Sequence, residues 1–282
     1  MTKRSKYILD KSIEKTDLKE TYLSIQISLD GFSFCIYAPI SQTYLTFQHY
    51  DFGLQHNTPD QLLKLVQTIF DENNLLNQDY KKVNIIHQNE LASLVPEEFF
   101  DEDCAKDYLK NNIKVLNNDF VSHDLLKNES AALVYIPYVN INNFIFSKFG
   151  AFEYFHSATL FIDLKNKLEQ NMHQTKCYIH VHPHSFDVLV YKASSLIFFN
   201  HFNFQTAADF IYYVLFVMEQ LELSPNEIET ELSGEIEQDS ELFKTAFQYI
   251  RNIRFYNIPN PKLSASFDEI SRHSNYIDLH QF

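Results

Sequence analysis

Three histidines, His180, His182 and His184, alternate along one apolar run and are the first residues in the chain able to do chemistry as a group. Alternate residues of a β-strand share a face, so three imidazoles at this spacing could begin a Zn²⁺ site, with Asp187 the nearest carboxylate. The geometry argues against three ligands. Same-face neighbours lie roughly 7 Å apart, and each nitrogen must come within about 2 Å of one metal. Two could manage it, so the row reads better as a histidine-bearing strand facing solvent or a cleft. Glu97 and Glu98, with Asp101, Glu102 and Asp103, could supply paired carboxylates. Placed just before an expected helix, they instead favour its positive N-terminal end. Cys35, Cys104 and Cys177 are far apart, odd in number and without a C-x-x-C pair. They imply a reducing compartment and small core residues, not a disulfide framework or a nucleophile. The chain has no Walker loop, no G-x-G-x-x-G and no G-x-S-x-G.

Charge narrows the partners. The 37 acidic residues outnumber the 23 basic ones, for a formal net charge of -14. Nucleic-acid binding relies on Lys and Arg neutralising phosphates, so a DNA or RNA role is disfavoured, as is an anionic membrane surface. The most apolar run, Phe210 to Met218, is bracketed by Asp209 and Glu219 and is too short to span a bilayer. Met1 to Glu20 lacks an apolar signal segment. A cytoplasmic protein is expected.

The elements that must carry these residues can be read from periodicity. Residues 1–20 look like a flexible polar leader. Leu23 to Leu29 alternates strictly, as a half-buried strand does. Asp30-Gly31 then reads as a type I′ hairpin turn into Phe32 to Tyr37. Tyr44 to Phe52 is a third strand. Thr58-Pro59-Asp60-Gln61 is a capping box opening a helix whose apolar face is Leu62, Leu65, Val66, Ile69 and Phe70. Val83 to His87 is a strand, Asp101 to Asn112 a helix, Ala131 to Tyr138 a strand, and Asn140 to Phe149 and Leu160 to Asn171 are helices. The order then recurs. Cys177 to His182, Phe186 to Tyr191 and Leu196 to Phe204 are strands. Thr206 caps a second helix, Ile228 to Leu232 is a strand and Ser240 to Asn252 a helix. Thr58 to Leu75 and Thr206 to Leu223 have the same length, which suggests an internal structural repeat.

A three-stranded meander followed by helix, strand and helix resembles a ribonuclease-H-like domain. Two in tandem resemble the actin, sugar kinase and Hsp70 group, and the second half resembles its cell-division and pilus-assembly members, FtsA and PilM. The segments Leu23 to Tyr37, Phe152 to Ser157, Leu232-Ser233-Gly234 and Phe247 to Asn252 also resemble an uncharacterised bacterial family, domain of unknown function 3822. The implied fold is α/β: two tandem ribonuclease-H-like domains of the actin-like ATPase fold, with mixed sheets flanked by helices. The halves fall at 21–138 and 139–256. A tail, 257–282, either docks elsewhere as an amphipathic segment or packs on its own domain.

The resemblance implies ATP and Mg²⁺ between the halves, cradled by glycine-bearing hairpin loops. It places the candidate nucleotide contacts at Asp30, Gly31 and Ser33 of the first turn, Ser185 of the second, and Ser233 and Gly234 at the adenosine position. The residues themselves argue against that cofactor. The chain has only four glycines, the second turn is His182-Pro183-His184-Ser185, and Glu227 to Glu241 holds seven acids that repel a triphosphate. The reading is therefore a non-catalytic scaffold or protein-interaction module with a protein partner. The alternatives are a nucleotide-binding protein or ATPase of the same fold, and a metal-dependent hydrolase built on the histidine row.

Overall fold

The computed structural model describes residues 3–53, 58–110, 113–169, 174–257, 262–267, 273–275 and 277–279. The chain opens with an edge strand, β1 (Lys3–Leu9), followed by a meander of β2 (Tyr22–Ile27), β3 (Gly31–Ala38) and β4 (Thr43–Asp51). Residues 3–9 are thus not the flexible leader expected of them. The strand sits at the edge of its sheet and is paired on one side only, where a charged sequence is tolerated. β1 runs antiparallel to β4, and Asp10 N–H continues the ladder to Leu45 O at 2.8 Å. Helix α1 (Pro59–Glu72) follows with both halves of its Thr58/Gln61 capping box formed, and then β5 (Lys82–His87).

An inserted unit comes next: β6 (Ala92–Pro96), α2 (Ala105–Lys110), β7 (Ser122–Leu126) and β8 (Ala131–Tyr135). Its strands form a separate antiparallel sheet in the order β6-β8-β7. The expected helix at 101–112 is shorter than its pattern, because Asp101 caps a 3-10 turn at Glu102–Cys104 before α2 begins; Asn112 lies outside the described residues. The chain then returns through α3 (Val139–Phe149) and β9 (Glu153–His156). β9 pairs in parallel with β5, so the first sheet runs β1-β4-β3-β2-β5-β9 and extends past residue 138, where the first half was expected to end.

Helix α4 (Ser157–Glu169) crosses to the second sheet, β10 (Thr175–Val181), β11 (Ser185–Lys192), β12 (Ser195–Asn203), β13 (Glu229–Gly234) and β14 (Asn252–Phe255), with α5 (Ala207–Gln220) and α6 (Glu241–Tyr249) between its later strands. Its order is β12-β11-β10-β13-β14. Each sheet therefore contains three antiparallel meander strands followed by two parallel ones.

The cores follow from these layers. Leu62, Val66 and Phe70 of α1 and Ile141 and Ile145 of α3 cover one face of the first meander. Phe210, Val214 and Val217 of α5, with Ala246 of α6, cover one face of the second. Ala158, Phe161 and Ile162 of α4 are shared between the inserted sheet and the opposite face of the second. The C-terminal tail leaves its own half. Phe267 and Leu279 pack with Cys35, Tyr37, Tyr44 and Phe47 on the open face of the first meander.

Candidate functional site

The two meander hairpins point at one another across a cleft of about 550 Å³. Asp30, Gly31 and Ser33 line it from the first half, and His182, His184 and Gly234 from the second. Asn275, Ile277 and Asp278 of the tail line it as well.

The first hairpin differs from the expected turn. Ser28 N–H donates to Gly31 O at 3.0 Å, so the two-residue loop is Leu29-Asp30, and Gly31 starts the strand. None of Leu29, Asp30 and Gly31 has the positive φ that a type I′ turn requires. A Cβ at Gly31 would meet only the His49 ring at 3.3 Å and Tyr50 O at 3.4 Å. Asp30 is held by its own hairpin: its carboxylate accepts from Ser28 Oγ, and its carbonyl accepts from Phe52 N–H at 2.9 Å. Ser33 is buried and donates to Asp278 Oδ1 at 2.6 Å. Burial pushes the Asp278 carboxyl up to about 6, against the opposing pull of the Ser33 hydrogen bond and of Lys6.

Gly234 is demanded by packing. Its φ is +86°, and a Cβ there would lie 2.0 Å from Val181 O. The glycine lets the end of β13 fold tightly over β10, so that Glu235 N–H donates to Val181 O at 2.7 Å. Its own N–H donates to His273 O of the tail at 2.7 Å. Ser233 is buried between strands against His180 Nδ1, at 2.9 Å. Ser185 is engaged through its backbone, its carbonyl accepting from His182 N–H at 2.8 Å to close the second hairpin. Ser185 lines a neighbouring pocket with Tyr138 and Asn203. Of the six expected nucleotide contacts, four line the cleft, while Ser185 and Ser233 do not.

The histidine row divides. His180 and His182 are buried and His184 is exposed. His182 joins a chain of hydrogen bonds that crosses the halves. Gln26 Nε2 donates to Gln88 Oε1 at 2.8 Å, and Gln88 Nε2 lies 2.7 Å from His182 Nδ1. His182 Nε2 in turn lies 3.0 Å from Asp187 Oδ2, and His201 Nδ1 2.7 Å from Asp187 Oδ1. The His182 ring is thus held from both sides, by the Gln88 amide at Nδ1 and the Asp187 carboxylate at Nε2. Burial opposes the charge on Asp187, yet the two imidazoles hold it well below the usual carboxylate range. Burial likewise opposes protonation of His201, but the bond to Asp187 raises its pKa. Sequence reasoning missed this hub. The hairpin register places Asp187 opposite both His180 and His201, so extending the two-residue pairing rule across the three strands would have found it. Among the described residues, no group of three His, Cys, Asp or Glu side chains is arranged to hold a metal ion.

With the tail docked, the residues of this cleft do not fit a bound nucleotide. The Gly234 N–H and the Ser33 hydroxyl are spent on the tail, and Gly234 is explained by strand packing. The cleft also carries Asp30, Asp51, Glu235, Glu237 and Asp278, and Lys6 is the one amine among its described lining residues.

Two α/β halves, each with a meander continued by parallel strands and meeting hairpin to hairpin, define the actin-like ATPase fold. A Bacteroides thetaiotaomicron protein with an actin-like ATPase fold and unknown function superposes with a TM-score of 0.76 at 24% identity, over 89% of this chain and 95% of that one. The PilM–PilN type IV pilus biogenesis complex superposes at 0.55 and 12% identity, over 86% and 89%. The chain belongs to the family described as Protein of unknown function (DUF3822), which matches residues 10–253. No curated protein matches it. Among the described residues, no helix is long and apolar enough to cross a membrane.

Proposed function

We propose that this chain is a non-catalytic scaffold of the actin-like fold that binds a protein partner in a reducing, cytoplasmic setting. The observation that carries the reading is the double engagement of the tail. Ser33 donates to Asp278 and Gly234 to His273, so the donors nearest the hairpins are taken by the chain itself. The acidic lining adds like-charge repulsion against a triphosphate. PilM, a fold neighbour, is solved as a complex with PilN, which is an example of this architecture serving protein assembly. The histidine row gives a metal-dependent hydrolase no support, since His180 is bonded to Ser233 and His182 to Asp187 and Gln88.

Thermal denaturation with millimolar ATP or ADP and Mg²⁺ tests the scaffold reading. A ligand at a hundred times its Kd adds about 2.7 kcal/mol to stability. The expected result is no shift. A second reading, a nucleotide-binding protein whose tail is displaced by ligand, draws on the cleft volume and on Asp30, Gly31, Ser33 and Gly234 in its walls. A clear upward shift, lost in Ser33→Ala, would favour it over the scaffold.

A further inference from the structure

Helices α1 and α5 hold corresponding places in their halves and supply an internal comparison. Each runs 14 residues from a threonine with a complete capping box. Counted from the cap, Leu62, Val66 and Ile69 of α1 fall on Phe210, Val214 and Val217 of α5, and all six are buried. The inward faces therefore match.

The outward faces do not. Lys64 and Thr68 of α1 are exposed, as a surface helix requires. The same positions of α5 hold Tyr212, 62% exposed, and Phe216, 43% exposed. The two rings stack with centroids 6.3 Å apart and planes 18° from parallel. They are also anchored. Tyr212 touches Tyr213 at 5.3 Å, Tyr213 stacks on Phe202 at 5.2 Å, and Phe202 stacks on buried Phe186 at 5.5 Å. Exposed rings fixed to a core lose little freedom when covered, which is the character of interface anchors. The adjoining helix α6 exposes Phe247 and Tyr249 as well.

Charge identifies the occupant. Between Lys192 and Lys244 the chain has ten acidic residues and no Lys or Arg. Glu219 lies one turn beyond Phe216 on the same face, and Glu222 follows; both are exposed. Docked α5 against α5, a second copy would set Glu219 and Glu222 against their own counterparts, because α5 itself carries no Lys or Arg and the exposed Lys244 lies on α6; each copy also carries a formal -14. We propose that the outward face of α5, centred on Tyr212 and Phe216, docks a basic amphipathic segment of another protein. Its apolar residues cover the two rings and its Lys or Arg side chains face Glu219 and Glu222. This rests on the scaffold reading and names the class of partner.

The test uses the full chain and a fluorescein-labelled helical peptide of Leu and Lys, about 18 residues or five turns long. The same peptide with Glu for Lys is the control, and binding is read by anisotropy. Tyr212→Gln with Phe216→Thr gives α5 a polar outward face like that of α1 without changing charge. The Lys peptide is expected to bind, more weakly as salt rises, and the Glu peptide not to bind. The double variant should lose about tenfold or more in affinity at unchanged Tm, and Glu219→Gln should lose less. No binding, or equal binding by wild type and double variant, overturns the proposal. So does a wild-type dimer, seen by sedimentation, that the double variant dissolves, because the occupant is then a second copy. The nucleotide shift described above is measured on the same proteins. A shift present in wild type and double variant alike overturns the scaffold reading while leaving the peptide result to stand or fall separately.

Discussion

Ser33 and Asp278 lie 245 residues apart in sequence, yet the serine hydroxyl donates to the carboxylate at 2.6 Å inside the interlobe cleft. Their bond fastens the C-terminal tail to the first meander. Cys35 Sγ adds a contact to Asp278 O at 3.4 Å.

Docking of the tail is expected to tighten as pH falls. The Asp278 carboxyl, ordinarily at 3.8, is raised to about 6 by burial. Ser33 and Lys6 pull it down, and Glu235 pushes it further up. A group with a raised pKa takes up a proton on docking, so its contribution is full below 3.8 and is lost as pH rises through 6. The span is worth about 3 kcal/mol at most. Protection from hydrogen exchange over residues 273–275 and 277–279, taken relative to the intrinsic exchange rate at each pH, should rise between pH 7 and 5. Asp278→Asn should give the high protection at both pH values. Unchanged protection in wild type would contradict the proton linkage.

Two of the three glycines that line the cleft, Gly31 and Gly234, should respond differently to alanine. Gly234→Ala meets both a φ of +86° and a backbone oxygen 2.0 Å away, and neither can be relieved without moving β13 from β10. A loss of about 3 kcal/mol or more is expected. Gly31→Ala meets a movable imidazole at an ordinary φ and should cost less than about 1 kcal/mol. Urea midpoints separate the two, and equal losses would mean that the close approach of Gly234 to Val181 is not what requires a glycine.

Local pattern made much of this fold legible. Both meanders, both threonine caps and the apolar faces of α1 and α5 follow from periods of two and of 3.6 residues, which act over a few neighbours. What it hid depends on distance or on edges. β1 is an edge strand, and its Lys and Arg residues read as a leader. Asp30-Gly31 carries the statistics of a type I′ turn, but register placed Gly31 in the strand. The tail's grip on Ser33 and Gly234 leaves no periodic trace at either end. Asp30, Gly31, Ser33 and Gly234 were placed in the cleft by resemblance, whereas Asp187, His201 and Gln88 required the strand pairing itself.

The turn that has type I′ character is elsewhere, at Ala193-Ser194 between β11 and β12. Both residues have positive φ, 48° and 65°, and neither is glycine or asparagine. L-residues with ordinary side chains are strained there. Replacing the pair with Asn-Gly should stabilise the protein by about 1 kcal/mol. The check is a rise in the urea midpoint at constant slope. A fall would mean that contacts made by the Ser194 side chain outweigh the backbone strain.

Mild acid should destabilise the protein before its ordinary carboxylates titrate. His87 and His156 are buried, and burial depresses them from 6.5 to about 3 and about 4. His87 lies between the Asn142 side chain, 2.9 Å from its Nε2, and Tyr138 N–H, 3.3 Å from its Nδ1. His156 Nδ1 accepts from Ala158 N–H at 3.2 Å. A neutral imidazole suits both sites. The unfolded chain binds protons at these positions below pH 6.5 and the folded chain does not, so stability must fall as pH drops from about 6.5 toward 4. Each depression is worth about 3 kcal/mol or more. Asp278 works in the opposite direction over part of the same range, but by about 3 kcal/mol in total, so the two histidines prevail. Stability measured by urea unfolding at pH 7 and pH 5 should be lower at pH 5, and His156→Gln should flatten the difference. A protein more stable at pH 5 than at pH 7 would mean that Asp278, not the buried imidazoles, dominates the proton linkage.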